Sequence, residues 1–360
     1  MTFPFQPATK LIPCPVHKCT LRPSDEDYDE HYFGAKWRDF VNGGNGCLYG
    51  IPWNAKRVLE YNTISKRIRE IGPDLGDEGC KYDKGIKVKD GSIYCKPLAA
   101  RFICKIVPKE GEDAEVCILR DKRLERDERV CWGIGVLAGD GCIYYFPYTG
   151  GRILKLDPKT DKLTIIGEGI GQHCKAAVAG KDGHIYCMFP NYIIKFNHVD
   201  YSVSKLNIEI FVQEDFLGVV LADDGCFYSA NKFGQILKFD ITERWELHGD
   251  CLYEGLLGRG WGQPVVGADK CIYFPPAAHD RVLKFNPVTV TFSLIGNSFS
   301  DMNYGWVGAT LASDGFIYCA PFHANDFLQI DTRCVNDQVL ALIDDHLNEA
   351  RLSKRRKVKR

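Results

Sequence analysis

The sequence has no long apolar run, almost no net charge and no export signal. No stretch reaches the roughly 18 apolar residues that a membrane-spanning helix needs. Lys and Arg total 46 against 47 Asp and Glu, a formal net charge of −1, so the fold as a whole should not favour nucleic acid or an anionic membrane. The opening MTFPFQPATKLIPCP lacks a basic segment followed by an apolar one. We therefore expect no membrane attachment and no secretory signal.

Familiar catalytic and metal-binding motifs are also missing. The chain has no P-loop, GxSxG, HExxH, dinucleotide-binding fingerprint or EF-hand loop, and its nine histidines are scattered. Cys14, His17 and Cys19 lie close together in CPVHKC, but structural zinc needs a second pair of ligands. We predict no metal and no cofactor.

Sixteen cysteines make disulfides the first interpretation, yet seven of them recur at fixed places in a repeat. Two such sets are Cys47, Cys142, Cys226 and Cys271, and Cys95, Cys187 and Cys319. At these places they resemble small core hydrophobes. Together with the missing export signal, this favours free thiols in a reducing compartment, and hence a cytoplasmic or nuclear protein. A disulfide framework is the alternative.

What the sequence does contain is a repeat built on a G-x-I-Y pattern. Its seven tyrosines are Tyr49, Tyr94, Tyr144, Tyr186, Tyr228, Tyr273 and Tyr318. The intervals between them are 45, 50, 42, 42, 45 and 45 residues. A period near this length is typical of repeat architectures.

Each copy has the same internal order of turns and strands. An Asp-Gly pair, or a close equivalent, precedes most of the tyrosines and predicts a tight hairpin. A further strand follows, with lysine at its fourth place in Lys105, Lys155, Lys195, Lys238 and Lys284. We interpret these lysines as lying along the strands with their ammonium groups in water; a ring that binds anions is the alternative. One more strand ends many of the copies.

An upstream strand carries a second register, nine residues before the turn glycine or its equivalent. Its members are Trp37, Tyr82, Trp132, Cys174, Phe216, Trp261 and Trp306. Seven units of four short strands, with no helical period between them, predict an all-β fold, a seven-bladed β-propeller of four-stranded blades over residues 36–335. The register should then pack between adjacent blades; a ring that binds a ligand is the alternative.

The pairing of IY segments with LKxD/N strands, as in GCIYYFP followed by RILKLDP, resembles seven-bladed propellers with kelch-, NHL- or streptogramin-lyase-like repeats. The resemblance covers roughly residues 36–335. It lacks the double glycine of kelch repeats and the WD dipeptide of WD40 blades. No position matches the catalytic residues of the lyase, so the resemblance implies architecture and no activity.

The two ends depart from the repeat. Residues 1–35 form an extension, and we expect a strand near Leu11–Val16 to complete the last blade. Residues 336–360 should form a short helix, capped by Asn336 or Asp337, and a basic tail. The tail is either a nuclear signal or tether for nucleic acid or an acidic partner, or a solvated end. Its basic residues are Lys354, Arg355, Arg356, Lys357, Lys359 and Arg360. The charged stretch Lys109–Val130 should project from one face.

Connections between the second and third strands of each unit concentrate aromatic side chains and arginines on one face. We predict that this face binds a protein partner, because such residues dominate interaction hot spots. The candidate residues are Trp53, Arg57, Tyr148, Arg152, Phe233, His279, Arg281, Phe322 and His323. The protein would then be a non-enzymatic, monomeric interaction platform that meets nucleic acid only through its tail.

A propeller enzyme of lactonase or lyase type is the competing hypothesis. The positions where the innermost strands begin supply two carboxylates, Asp39 and Asp83, with Arg38, Lys84 and Lys175 beside them. A divalent cation prefers several converging oxygens, so the mixed charges indicate a salt-bridged channel mouth instead. Loop residues such as Glu214, Asp215 and Asp301 could add ligands.

Overall fold

The structure is a computed structural model that describes residues 9–14, 34–98, 100–125, 132–167, 169–206, 216, 218–231, 233–250, 260–296, 298–299 and 304–333. Within these residues, 28 strands form seven four-stranded antiparallel sheets. The predicted all-β, seven-bladed propeller is confirmed.

The strands are β1 (Thr9–Pro13), β2 (Trp37–Asn42), β3 (Cys47–Pro52), β4 (Val58–Asn62), β5 (Ile68–Ile71), β6 (Tyr82–Lys87), β7 (Ile93–Pro97), β8 (Phe102–Val107), β9 (Glu115–Arg120), β10 (Trp132–Leu137), β11 (Ile143–Pro147), β12 (Ile153–Asp157), β13 (Lys162–Ile166), β14 (Ala176–Ala179), β15 (Ile185–Phe189), β16 (Tyr192–Phe196), β17 (Val203–Lys205), β18 (Val220–Leu221), β19 (Phe227–Ala230), β20 (Ile236–Phe239), β21 (Trp245–His248), β22 (Val265–Val266), β23 (Ile272–Phe274), β24 (Val282–Asn286), β25 (Thr291–Ile295), β26 (Ala309–Leu311), β27 (Phe316–Cys319) and β28 (Asp326–Asp331). One short helix, α1 (Lys122–Glu125), follows β9.

Each blade is a meander of four consecutive strands, and we number the blades 1 to 7 from β2. The first strands of most neighbouring blades contact one another, so these strands line the axis. Blade 7 is the exception to consecutive order, because its sheet runs β26, β27, β28 and then β1. Residues Thr9–Pro13 pair with Asp326–Ile330 and complete the last blade, as proposed, although the strand begins two residues before the expected segment.

The hydrophobic core consists of seven clusters, one between each pair of adjacent blades. Each cluster contains one member of the aromatic register. Trp37, for example, packs with Phe327 between blades 1 and 7, and Trp132 packs with Tyr94 between blades 2 and 3. The prediction that this register packs between blades is confirmed.

The register tryptophans also fix the backbone at the start of the third strand. In each of four blades, the indole Nε1 donates to a carbonyl oxygen twenty residues later. These bonds are Trp37 to Arg57 at 3.0 Å, Trp132 to Arg152 at 3.1 Å, Trp261 to Arg281 at 3.0 Å and Trp306 to Asp326 at 2.8 Å. Each buried indole N–H group thus has a hydrogen-bond acceptor. The same bonds hold the backbone of three arginines of the predicted partner face in place.

The recurring lysines have a different role from the one expected. Each ammonium group pairs with a turn aspartate and lies over the ring of the repeat tyrosine, where water alone had been predicted. In blade 6, Lys284 Nζ lies 2.7 Å from Asp269 Oδ2, and Tyr273 Oη donates to the same oxygen at 2.8 Å. Lys155–Asp140, Lys195–Asp182 and Lys238–Asp224 are pairs of the same kind, whereas Lys105 of blade 2 pairs with Asp161 in the β12–β13 turn of blade 3. The lysine ammonium group, the tyrosine ring and the aspartate carboxylate thus contact one another beside the turns of these blades.

The remaining departures concern the charged stretch and the ends. Part of Lys109–Val130 does not project but forms β9, the fourth strand of blade 2. The expected C-terminal helix and the basic tail of residues 354–360 lie outside the described residues, and their role stays a prediction. In the part of the chain that the structure describes, no helix has the length and apolarity to cross a membrane.

Candidate functional site at the channel mouth

A cavity of about 260 Å³ opens at the end of the channel where the innermost strands begin. All seven blades contribute to its wall. The lining residues are Arg38, Trp53, Cys80, Asp83, Leu98, Gly133, Ile134, Tyr148, Cys174, Lys175, Gly218, Gln263 and Val307. One polar and partly apolar site therefore stands at the centre of the predicted partner face.

Backbone irregularities aim side chains into this cavity. The pairing of the first two strands shifts register between Trp37 and Asp39 in blade 1, between Tyr82 and Gly85 in blade 2, and between Trp132 and Gly135 in blade 3. Bulges of this kind turn a side chain away from the regular pleat and are frequent beside binding sites. Here they fall on the residues that line the mouth, including Arg38 and Asp83.

Arg38 is held on several sides by its neighbours. Its Nε forms a salt bridge with Asp83 Oδ1 of the next blade. The guanidinium carbon lies 4.4 Å from the centre of the Trp53 ring and 5.4 Å from that of Phe322. Its side chain is only 10% exposed. Cation–π contacts in such a desolvated place fix the plane of the guanidinium group.

Asp39 lies beside Arg38 but is buried, with 3% of its surface exposed. Burial raises its pKa to about 7, against the opposing effect of Lys84. Its Oδ1 accepts a hydrogen bond from the Phe40 amide at 2.9 Å. A Cβ atom at Gly308 would come within 2.4 Å of that oxygen, so glycine is required there for the carboxyl group to fit.

Two of the predicted partner-face residues are not exposed. Trp53 and Phe322 are 4% and 0% exposed, and their rings meet edge to face at 5.7 Å. With Ala35 and Val307 they form a small core cluster where blades 1 and 7 meet. The expectation that the face displays them is wrong, because the two connections fold over this seam and the rings pack under Arg38.

The other predicted residues vary in exposure. Arg57, Arg152 and Arg281 are exposed, and Tyr148 is 38% exposed with an edge-to-face contact to His173. His279 stacks on Trp261 at 4.3 Å, and burial lowers its pKa. Phe233 and His323 are half-buried.

The two carboxyl groups at the channel mouth differ in their surroundings. Asp83 is paired with Arg38, whereas Asp39 is buried. Among the described residues, no three His, Cys, Asp or Glu side chains are grouped as metal ligands would be. Glu214, Asp215 and Asp301 lie outside the described residues.

Only part of this site was predicted from the sequence. The charges at the mouth were predicted from the start of each innermost strand. The packing of Arg38 on Trp53 and Phe322 was missed, because an alignment of the repeats does not show which side chains of neighbouring blades meet.

Comparison with known proteins supports the fold alone. No protein-family model and no curated protein matches the chain. Solved structures of streptogramin B lyase type are among its structural neighbours. A structure of streptogramin B lyase superimposes with a TM-score of 0.69 at 13% identity, over 91% of this chain and 98% of that one. A catalytically inactive virginiamycin B lyase from Staphylococcus aureus, with quinupristin, gives 0.69 at 11% identity, over 91% and 99%.

A different kind of protein shares the same fold. The extracellular domain described as that of a hybrid two-component system from B. thetaiotaomicron gives a TM-score of 0.62 at 11% identity, over 90% of this chain and 41% of that one. Lyases and extracellular domains of two-component systems are thus both among the structural neighbours, and the fold does not choose between them.

Proposed function

We propose that this propeller is a binding module and that a protein partner docks on the face around the channel mouth. The observation that carries the proposal is the convergence of all seven blades on one cavity. A ring of packed sheets holds such a site rigidly, so little conformational entropy is lost on binding.

The chemistry of the surrounding face supports the same proposal. Arg57, Arg152 and Arg281 are exposed on backbone anchored by tryptophans, and Tyr148 stands half-exposed at the cavity wall. Arginine and tyrosine are enriched among residues whose truncation costs most binding energy. The proposed partner therefore covers the mouth and contacts these side chains around it.

The test is affinity capture from the protein's own cells followed by native mass spectrometry. The rim variant carries Arg152→Glu and Arg281→Glu. The control carries Arg67→Glu, which reverses an exposed charge in the β4–β5 turn at the opposite end of the channel. We expect a stoichiometric partner with wild type and control, and recovery reduced by about tenfold or more with the rim variant. Equal recovery with all three proteins would refute the proposed face.

A second candidate is a metal-dependent enzyme of lactonase or lyase type at the same mouth. The fold similarity to lyases and the nearness of Asp39 to Asp83 favour it. Elemental analysis of the purified protein tests it: a stoichiometric divalent metal that is lost in Asp39→Ala, together with a hydrolytic or lyase activity, would support the enzyme.

A further inference from the structure

The guanidinium group of Arg38 is oriented but incompletely bonded. Its Nε is bound to Asp83, and its face is packed on Trp53 and Phe322. Within the described part of the chain, Asp83 is the only side chain that forms a hydrogen bond or salt bridge with it. An arginine carries five N–H donors, so the two terminal amino groups keep their donors for a ligand in the cavity that Arg38 lines.

The charge of the cavity wall favours an anion. The side chains that line it include two cations, Arg38 and Lys175, and one carboxylate, Asp83, whereas the carboxyl group of Asp39 is buried and does not line the cavity, so the formal charge of the lining is +1. Trp53, Leu98, Ile134 and Val307 supply the apolar part of the wall. Charges act more strongly beside apolar walls than in open water, so this excess is effective despite its small size.

The size of the cavity limits what enters it. About 260 Å³ is somewhat below the range of roughly 300–1,000 Å³ that is typical of sites for drug-sized ligands. It suits one amino-acid side chain or the end of a peptide chain. A partner that covers the face can insert such a group while its remaining surface contacts the rim.

We propose that Arg38 anchors the partner by binding a carboxylate through its terminal amino groups, with Lys175 adding to the positive field. This inference rests on the proposed function. A guanidinium group offers two parallel N–H donors that match the two oxygens of a carboxylate. Asp83 and the two rings hold the group in place, so binding does not need to order it first.

The experiment uses the intact protein and blocked tripeptides as probes, with binding followed by ligand-observed NMR. The acidic probe is acetyl-Ala-Glu-Ala-amide, and its neutral counterpart has glutamine in the centre. A third probe, acetyl-Ala-Ala-Ala with a free carboxyl end, distinguishes a chain terminus from a side chain. Inorganic phosphate is the competing anion.

We expect a carboxylate probe to bind at least about tenfold more tightly than the neutral probe, and Arg38→Gln to remove that preference. Arg67→Gln removes an exposed arginine from the opposite end of the channel and should leave binding unchanged. Whichever carboxylate probe binds better assigns the source of the group. Equal binding of acidic and neutral probes, tighter binding of phosphate, or unchanged binding in Arg38→Gln would overturn the proposal.

Circular dichroism shows whether Arg38→Gln is folded. If it is not, Arg38→Lys and Lys175→Gln replace it, and unchanged affinity in both would refute the carboxylate site. The probe assay contains no partner, so its outcome is separate from that of the capture experiment. Probe binding without rim-dependent capture refutes the protein partner alone, whereas the reverse refutes the carboxylate anchor alone.

Discussion

Two adjacent tyrosines in β11 allow a direct test of how the blades are held together. Tyr144 and Tyr145 are both fully buried, but they face different blades. Tyr144 Oη donates to Asp140 Oδ2 at 2.8 Å and lies 3.3 Å from the carbonyl oxygen of His198 in blade 4. Within the described residues, Tyr145 Oη has no hydrogen-bond partner. Replacement of each by phenylalanine removes one oxygen and leaves the ring in place.

The two replacements should have opposite effects on the free energy of unfolding. Tyr144→Phe removes the hydrogen bond to a charged carboxylate, which we expect to cost ~1–3 kcal/mol. Tyr145→Phe removes a hydroxyl group that is buried without a partner, so the folded state should lose nothing or gain up to ~1 kcal/mol. Because both rings stay, cavity formation contributes little to either value.

Urea unfolding followed by tryptophan fluorescence and circular dichroism measures both variants in the same way. A double-mutant cycle between Tyr144→Phe and Asp140→Asn should give a coupling energy of ~0.5–3 kcal/mol, because the two groups share one hydrogen bond. A larger loss in Tyr145→Phe than in Tyr144→Phe would refute the reasoning, as would zero coupling in the cycle.

Three further predictions concern other parts of the ring. Ile12→Asp should lower the free energy of unfolding by ~1–3 kcal/mol more than Leu11→Asp in urea unfolding, because Ile12 packs on the core and Leu11 is 37% exposed; equal losses would contradict the packing of the closing strand. Trp53→Ala and Phe322→Ala should each cost ~3–5 kcal/mol in the same assay, as buried rings do; losses typical of surface residues would show that the rings are not core. The raised pKa of Asp39 favours its protonated form in the folded state, so its contribution to stability should fall as pH rises from about 4 to about 7; Asp39→Asn should remove this contribution from unfolding midpoints measured across that range, and an unchanged pH dependence would contradict the assignment.

The features that recur in every blade could be predicted from the sequence. Each repeat tyrosine lies in the second strand of its blade and is fully buried, and each register residue lies between two blades. Equivalent positions of a repeat occupy equivalent places in the fold, so seven apolar or aromatic residues at one position together predict that the position is buried. The closing strand could be placed to within three residues, because a ring must join its last blade to its first and a strand from the other terminus can do this.

The features that occur once could not be predicted. The burial of Trp53 and Phe322 depends on how two connections from the first and last blades meet across the seam. Nothing in either connection carries that information, since each contains the aromatic and polar residues typical of an exposed loop. The prediction that these residues are exposed failed because an alignment of the repeats compares equivalent positions and does not show which side chains of neighbouring blades are in contact.

The contact between lysine and aspartate could have been predicted from the sequence but was not. Asp140 precedes Tyr144 by four residues, and Lys155 lies opposite Tyr144 in the next strand. The same spacing recurs in several blades, so the alignment contained the signal. It was missed because the turn role of the aspartate already explained its presence; in the structure one oxygen accepts the turn amide at Cys142 and the other binds the tyrosine and the lysine.

The pairing of β1 with β28 has a consequence for the order of assembly. A ribosome delivers β1 first and β28 after six blades have already emerged, so β1 has no partner for most of synthesis. Until β1 pairs with β28, the outer edge of the last blade has no partner strand, and the surface of blade 1 that contacts blade 7 is exposed to water. Joining segments so far apart in the chain carries a large entropic cost before any contact forms, which makes ring closure late and slow. We therefore expect the seam beside the channel mouth to be the last part of the ring to form.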